Sequence, residues 1–311
     1  MNREHQNREI ELIRKYQEKA REIERLREKI EEYENIKNSQ IDMENIKKEL
    51  EEYKKKYNDL QNSKIIPEEK KSNTPEKEIM DNKIKTIFEI KEEDLNKEIQ
   101  ILNYNNKDNS NKEEIEKNCE IFIENNKIDF TYKYKFNKIG EYNITFNFNK
   151  IMTNISFLFF NCKNLKFVDF SNFNSEYNVS LRALFRNCEN LQTINFIDFN
   201  TKNVSDMSFL FWNCQKLEKL NLSSFNTNNV MSMNTMFSDC FSLKELDLSN
   251  FNTKKVQNFC CMFAHCNELT NLNIKNFQIK YNTDLTDIFY GLNPKCLIIC
   301  DEEKILKYQE K

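Results

Sequence analysis

The sequence predicts an α/β solenoid: a stack of 26-residue strand–turn–helix units, preceded by a β-rich cap and a long N-terminal helix. Three observations carry that expectation. Cysteine recurs at Cys162, Cys188, Cys214, Cys240 and Cys266, each 26 residues after the last. Phenylalanine keeps the interval twice over, at Phe159, Phe185, Phe211, Phe237, Phe263 and Phe289 and at Phe173, Phe199, Phe225, Phe251 and Phe277. Leucine fills a further column at Leu165, Leu191, Leu217, Leu243 and Leu269. A fixed period of about 20–50 residues marks units that do the same structural job and stack on one another.

Residues 1–63 read as a long charged helix. No glycine or proline interrupts residues 3–62, and Glu, Lys and Arg crowd them. Apolar residues fall at three- and four-residue steps, first at Ile13, Tyr16, Ala20 and Ile23 and then as heptads at Met43, Ile46, Leu50, Tyr53, Tyr57 and Leu60. Glu11–Lys15, Glu44–Lys48 and Glu51–Lys55 are i,i+4 pairs in the favourable orientation, each contributing a few tenths of a kcal/mol. A helix of roughly 60 residues would reach about 90 Å. Its uncovered apolar seam predicts a coiled coil and self-association, with a docking helix for another protein as the alternative.

Pro67 and Pro75 end that helix and make residues 64–83 a polar linker. From residue 84 to 150 the pattern changes to period two. Cys119–Glu124 and Lys127–Phe136 read as a hairpin turning at Asn125–Asn126, and Tyr142–Phe148 alternates again. This region is expected to cap the stack, because an open end invites strand pairing.

Residues 151–300 hold the repeats, with residues 301–311 as a helical tail. In one unit, Leu243, Leu246 and Leu248 give the LxxLxL strand of a leucine-rich repeat. Asn252-Thr253 is a turn signal, and Thr253 reads as the N-cap of a helix. Val256, Phe259, Met262 and Phe263 then lie on one helical face. The same face recurs through Ile155, Leu181, Met207, Met233, Phe259 and Leu285.

The stretch MFSDCFSLKELDLSNFNTKKV, Met236–Val256, resembles the BspA-like leucine-rich repeat family, and LFWNCQKLEKLNLSSFNTNNV, Leu210–Val230, matches as well. The resemblance covers about residues 150–300, and the Cys119–Asn149 segment looks like the β cassette that precedes such repeats in protist members. It implies an interaction protein; bacterial members are typically surface adhesins. The family has no catalytic residues to carry over.

Composition excludes several classes. The net charge is −3, and residues 151–294 carry 12 Lys/Arg against 12 Asp/Glu, so there is no basic stripe for nucleic acid. No apolar run approaches the roughly 18 residues that span a bilayer. The charged amino terminus does not read as a secretory signal, so a cytoplasmic location is expected, or the cell surface if the true start lies elsewhere. Ten cysteines then read as thiols, five of them a buried ladder. Cys260, Cys261, Cys296 and Cys300 lack metal-ligand spacing, and neither a metal nor an organic cofactor is expected. His265 occupies a column otherwise filled by Asn161, Asn187, Asn213 and Asp239, a polar turn position rather than a catalytic one. Trp212 reads as packing or as an exposed anchor.

The candidate partner surface lies between the core leucines of each strand. One outward column runs Asp169, Asn195, Asn221, Asp247, Asn273; beside it stand Lys166, Gln192, Glu218 and Lys244, and next to these Glu245. The expected function is a non-enzymatic scaffold for a protein partner, docked or oligomerised through residues 1–63. A secreted or surface adhesin is the alternative, and a redox-active thiol protein a third.

Overall fold

A computed structural model describes residues 82–104 and 111–308. The elements in chain order are β1 Lys83–Ile90, β2 Glu98–Gln100, α1 Lys112–Asn118, β3 Cys119–Ile123, β4 Asn126–Ile128, β5 Lys133–Lys135, β6 Gly140–Phe148, β7 Leu165–Asn172, β8 Thr193–Asn195, β9 Glu245–Asp247, β10 Asn271–Asn273, β11 Leu297–Ile299 and α2 Glu303–Leu306. They form a six-stranded sheet ordered β4-β3-β6-β1-β7-β8, a three-stranded sheet β11-β10-β9 and the pair β2-β5.

The six-stranded sheet joins cap to repeats. Alternation sends Ile84, Thr86, Phe88 and Ile90 of β1 inward, and β1 pairs antiparallel with β6 on one side and β7 on the other. From β7 onward the strands run parallel, Val168 opposite Ile194 and, farther along, Leu246 opposite Leu272 opposite Ile298. The hairpin β3–β4 turns at Glu124–Asn125, one residue earlier than the asparagine pair suggests. Both have positive φ, 48° and 65°, as a two-residue primed turn requires.

Helix is the element the repeats lack, and this overturns the α/β solenoid expected from the period. Among the described residues the α-helices are α1 and α2, and neither replaces the predicted helix of a 26-residue unit. The described chain is β sheet and turn instead. The long helix placed on residues 1–63, its seam and nearly all of the linker 64–83 lie outside the described residues.

The physical reason is a competition for backbone amides. Met207, Phe209, Phe211 and Asn213 donate to the carbonyls of Ser232, Asn234, Met236 and Ser238, one repeat ahead, at 2.9–3.0 Å. The residues between them, Leu210, Trp212 and Cys214, donate three residues back, to Met207, Phe209 and Phe211. Every second amide therefore leaves its own unit, and no i→i−4 ladder forms.

Such a chain of turns needs left-handed residues at fixed places, since a type II turn requires positive φ at its third position. Two columns supply them. Asn161, Asn187, Asn213, Asp239 and His265 have φ of 59–62°, and Gly291 closes that column at 65°. These are the residue types that tolerate αL. The second column, Phe157, Ala183, Phe209, Thr235, Cys261 and Asp287, has φ of 52–61° with mostly unsuitable side chains. The Phe157, Ala183, Phe209, Thr235 and Cys261 amides offset that strain by donating across to the next repeat at 2.8–2.9 Å.

Asn213→Val is accordingly expected to cost about 2–3 kcal/mol, the αL penalty of a branched residue plus a lost hydrogen bond. Asn213→Gly is expected to cost under about 1 kcal/mol. Urea unfolding of both variants separates this from a purely polar role, for which the two would lose alike.

The core is a set of ladders. Phe159, Phe185, Phe211, Phe237, Phe263 and Phe289 stack successively at 5.6–5.9 Å with ring planes within 2–17° of parallel. Thr201, Thr227 and Thr253 are buried beside them. The Thr227 hydroxyl accepts from the Asn252 amide at 2.8 Å and donates to the Asn252 carbonyl at 3.0 Å. Thr253, expected as a helix N-cap, makes the same pair of bonds to Gln278. The hydroxyl caps an amide as expected, but that of the neighbouring repeat.

Candidate functional site

The predicted partner surface lies on the sheet side, and its Asn/Asp column is largely spent on the fold. Asp169, Asn195, Asn221, Asp247 and Asn273 each accept, through Oδ1, the amide two residues on, at 2.8–3.2 Å. At Asn195, Asp247 and Asn273 these Asx turns close β8, β9 and β10, whereas Asp169 lies within β7 and Asn221 in a turn outside any strand. Asn195 also donates to Asp169 at 2.8 Å. The Ser249 hydrogen bond to Asp247 holds that carboxyl below its ordinary value.

The flanking residues divide by position. Lys166 ties the cap to the repeats, with Nζ 2.6 Å from Glu141 and 3.4 Å from Glu89. The amide of Gln192 donates to the Lys166 carbonyl, and its side chain is half-buried. Glu218, Asn221, Lys244, Glu245 and Asp247 are exposed; Lys244 and Glu218 approach within only 3.8 Å. An exposed pair at that distance contributes little to stability and remains free to meet a partner.

The turn side carries a second cluster that sequence reasoning did not assemble. The Arg186 guanidinium lies 4.1 Å from the Trp212 ring centroid and 5.1 Å from that of Phe160, one repeat ahead and one behind. Arg182 lies 4.8 Å over Phe209 and 3.2 Å from Asp206. Phe157 packs edge-on against Phe160, and Trp212 Nε1 donates to Asp239 at 2.7 Å. Phe157, Phe209, Trp212 and both arginines are half-buried. The signal was present in two columns of the turn side: their first three rungs read Phe157, Ala183, Phe209 and Phe160, Arg186, Trp212, and no later rung repeats that composition.

A cleft of about 520 Å³ opens where the β2–β5 pair meets the first asparagines of the αL column, lined by Glu98, Gln100, Tyr104, Lys133, Asn161 and Asn187. Lys133 stands 4.5 Å from the Tyr104 ring centroid and 3.7 Å from Glu98.

The five periodic thiols are fully buried. Cys188, Cys214, Cys240 and Cys266 donate to the carbonyls of Phe159, Phe185, Phe211 and Phe237 at 3.0–3.2 Å, so each thiol bridges to the repeat before it. Burial pushes all five well above the ordinary thiol value. A reactive cysteine needs a lowered value and access, and these have neither. His265 packs edge-on against Tyr290 at 5.1 Å, and a Cβ added at Gly291 would come within 2.6 Å of its Nδ1.

The family profile described as "Mycoplasma protein of unknown function, DUF285" matches twice, over residues 129–218 and 179–296. Together the matches span just over half of the chain. The chain belongs to the DUF285 family. The two matches overlap over residues 179–218, as a repeating DUF285 unit allows. No curated protein and no solved structure matches this DUF285 chain. Among its described residues no helix is long and apolar enough to cross a membrane.

Proposed function

We propose that this DUF285 chain is a non-enzymatic protein-binding repeat protein of the BspA-like kind, and that a partner protein docks on its turn side. The observation that carries the reading is the half-exposed cluster Phe157, Arg186, Phe209 and Trp212, packed on the buried Phe160 ring. Tyr, Trp and Arg dominate the residues whose truncation weakens protein interfaces, and they act from well-packed positions such as the Arg186 sandwich. The exposed charges Glu218, Lys244, Glu245 and Asp247 on the sheet side form a second contact zone, tuning association rate and salt dependence. Self-association through residues 1–63 belongs to the same reading, and light scattering of the full chain against one beginning at Lys77 tests it.

Trp212→Ala is expected to weaken partner binding by about 2 kcal/mol or more, roughly thirtyfold. Replacing Glu245 and Asp247 together with Lys is expected to lose about 1–2 kcal/mol, mostly in association rate. The readout is quantitative recovery of interacting proteins on wild type and both variants, with affinities measured for those recovered. Equal recovery on all three would remove both surfaces from consideration.

A further inference from the structure

The two ends of the repeat stack are chemically different. In each repeat from Leu181 to His265 four amides donate to four carbonyls of the next unit; the first repeat donates three, from Phe157, Phe159 and Asn161. In the last complete pairing Phe259, Cys261, Phe263 and His265 donate to Asp284, Thr286, Ile288 and Tyr290 at 2.7–2.9 Å. At the N-terminal end the four equivalent carbonyls are all taken by the cap. Asn111 Nδ2 donates to Asn154 at 2.6 Å and to Ser156 at 3.3 Å, the Asn103 amide to Leu158 at 2.9 Å, and Gln100 Nε2 to Phe160. At the C-terminal end the equivalent donors are the amides of Leu285, Asp287, Phe289 and Gly291. No acceptor faces any of them among the described residues.

From this asymmetry we infer that the C-terminal end of the stack is a docking edge for an extended, acidic polypeptide segment of a partner protein, which lays its carbonyls along the Leu285–Gly291 amides. Four donors without acceptors, one at every second residue, form a positive edge of the kind that recruits carbonyl and carboxylate oxygens. The acidic preference follows from the neighbouring surface. Lys280, Lys304 and Lys307 line a cleft of about 250 Å³ that reaches Leu285, with Tyr281 and Tyr308 at its rim. No carboxylate among the described residues lines that cleft; on the edge itself stand Asp287 and Asp284, whose Oδ1 accepts the Thr286 amide at 3.0 Å, and Asp301, Glu302 and Glu303 precede Lys304 in the chain. A second copy of this chain is a poor occupant. Its own N-terminal carbonyls are occupied, and its C-terminal end offers donors to donors. This edge is separate from the turn-side cluster, so it stands whether or not that surface binds a partner.

Hydrogen exchange on the full chain, read residue by residue, tests the inference with an octapeptide of alternating Glu and Val as probe. In the free protein the Asp287 and Gly291 amides exchange fast, whereas Cys261 and His265, their equivalents one repeat earlier, exchange slowly. With the peptide at about ten times its dissociation constant, exchange at Leu285, Asp287, Phe289 and Gly291 slows by about tenfold. The corresponding Lys–Val octapeptide leaves them unchanged. A variant carrying Lys304→Glu and Lys307→Glu loses the response while Cys261 and His265 stay slow. Slow exchange at all four amides in the free protein overturns the inference, as does no slowing by the Glu–Val peptide or equal slowing by the Lys–Val peptide. The two-peptide comparison on the natural chain decides it even where the variant fails to fold.

Discussion

Raising the pH from 7 to 10 is expected to bring the repeat region to the brink of unfolding. The five ladder thiols are desolvated, and burial raises their values far above the ordinary 9.0. The folded chain therefore keeps these protons while the unfolded chain releases them above about pH 9. Stability is complete below the unfolded value and falls as pH rises toward the folded one. At pH 10 each thiol costs about 1.4 kcal/mol, and the five together on the order of 7 kcal/mol. That rivals the whole net stability of a typical domain, about 5–15 kcal/mol. Cys119 and Cys296, pushed up to about 12 and about 11 by burial, act in the same direction. The urea midpoint should hold steady from pH 6 to 8 and then drop steeply. A midpoint unchanged at pH 10 would mean that the thiols are ionised or accessible in the folded chain.

Phe211→Ala is expected to cost about 3–5 kcal/mol. The ring is fully buried between Phe185 at 5.9 Å and Phe237 at 5.6 Å, in the middle of the stacked column. Truncation removes these two stacked contacts and an edge-on contact with Phe196 at 6.3 Å, and leaves a hole that neighbours fixed by inter-repeat hydrogen bonds cannot fill. The Phe211 carbonyl still accepts from Cys240 in the variant, so the loss isolates packing from hydrogen bonding. Urea unfolding at pH 7 measures it. A cost below about 1 kcal/mol would mean that the repeats close up around the gap.

The repeat period was legible because each rung offers its side chains the same surroundings, and identical surroundings select identical residues. Cys162 to Cys266 and the phenylalanine columns are buried as that argument expects. The helix was misread because burial at three- and four-residue spacing is shared by a helix and by a run of linked turns. Val256, Phe259, Met262 and Phe263 are buried in either arrangement. The deciding clue sat in the column Asn161, Asn187, Asn213, Asp239, His265, Gly291. A column of Asn, Asp, His and Gly states a demand for positive φ, and a helix interior has no such place. The companion column beginning at Phe157 carries no such mark. Its conformation is imposed by inter-repeat hydrogen bonds, which composition does not display.

At the candidate site, the outward position of the Asp169–Asn273 column was readable from alternation. Its side chains' bonds to their own backbone depend on where the chain turns. The turn-side cluster needed the third dimension: Phe160, Arg186 and Trp212 are 26 residues apart in the chain and meet only because the rungs lie in register.

That register also restricts how a gene of this kind can change length. A donor finds its acceptor a whole unit ahead, so a cut of 26 residues joins two rungs whose αL places, thiols and stacked rings still correspond. The outcome is a shorter chain with every remaining bond available. A cut of one residue within a rung instead moves Trp212 or Cys214 into the place of Asn213 and turns the Cys214 thiol away from Phe185. Whole units are therefore the natural currency of gain and loss, and surviving variants should differ in length by multiples of the repeat.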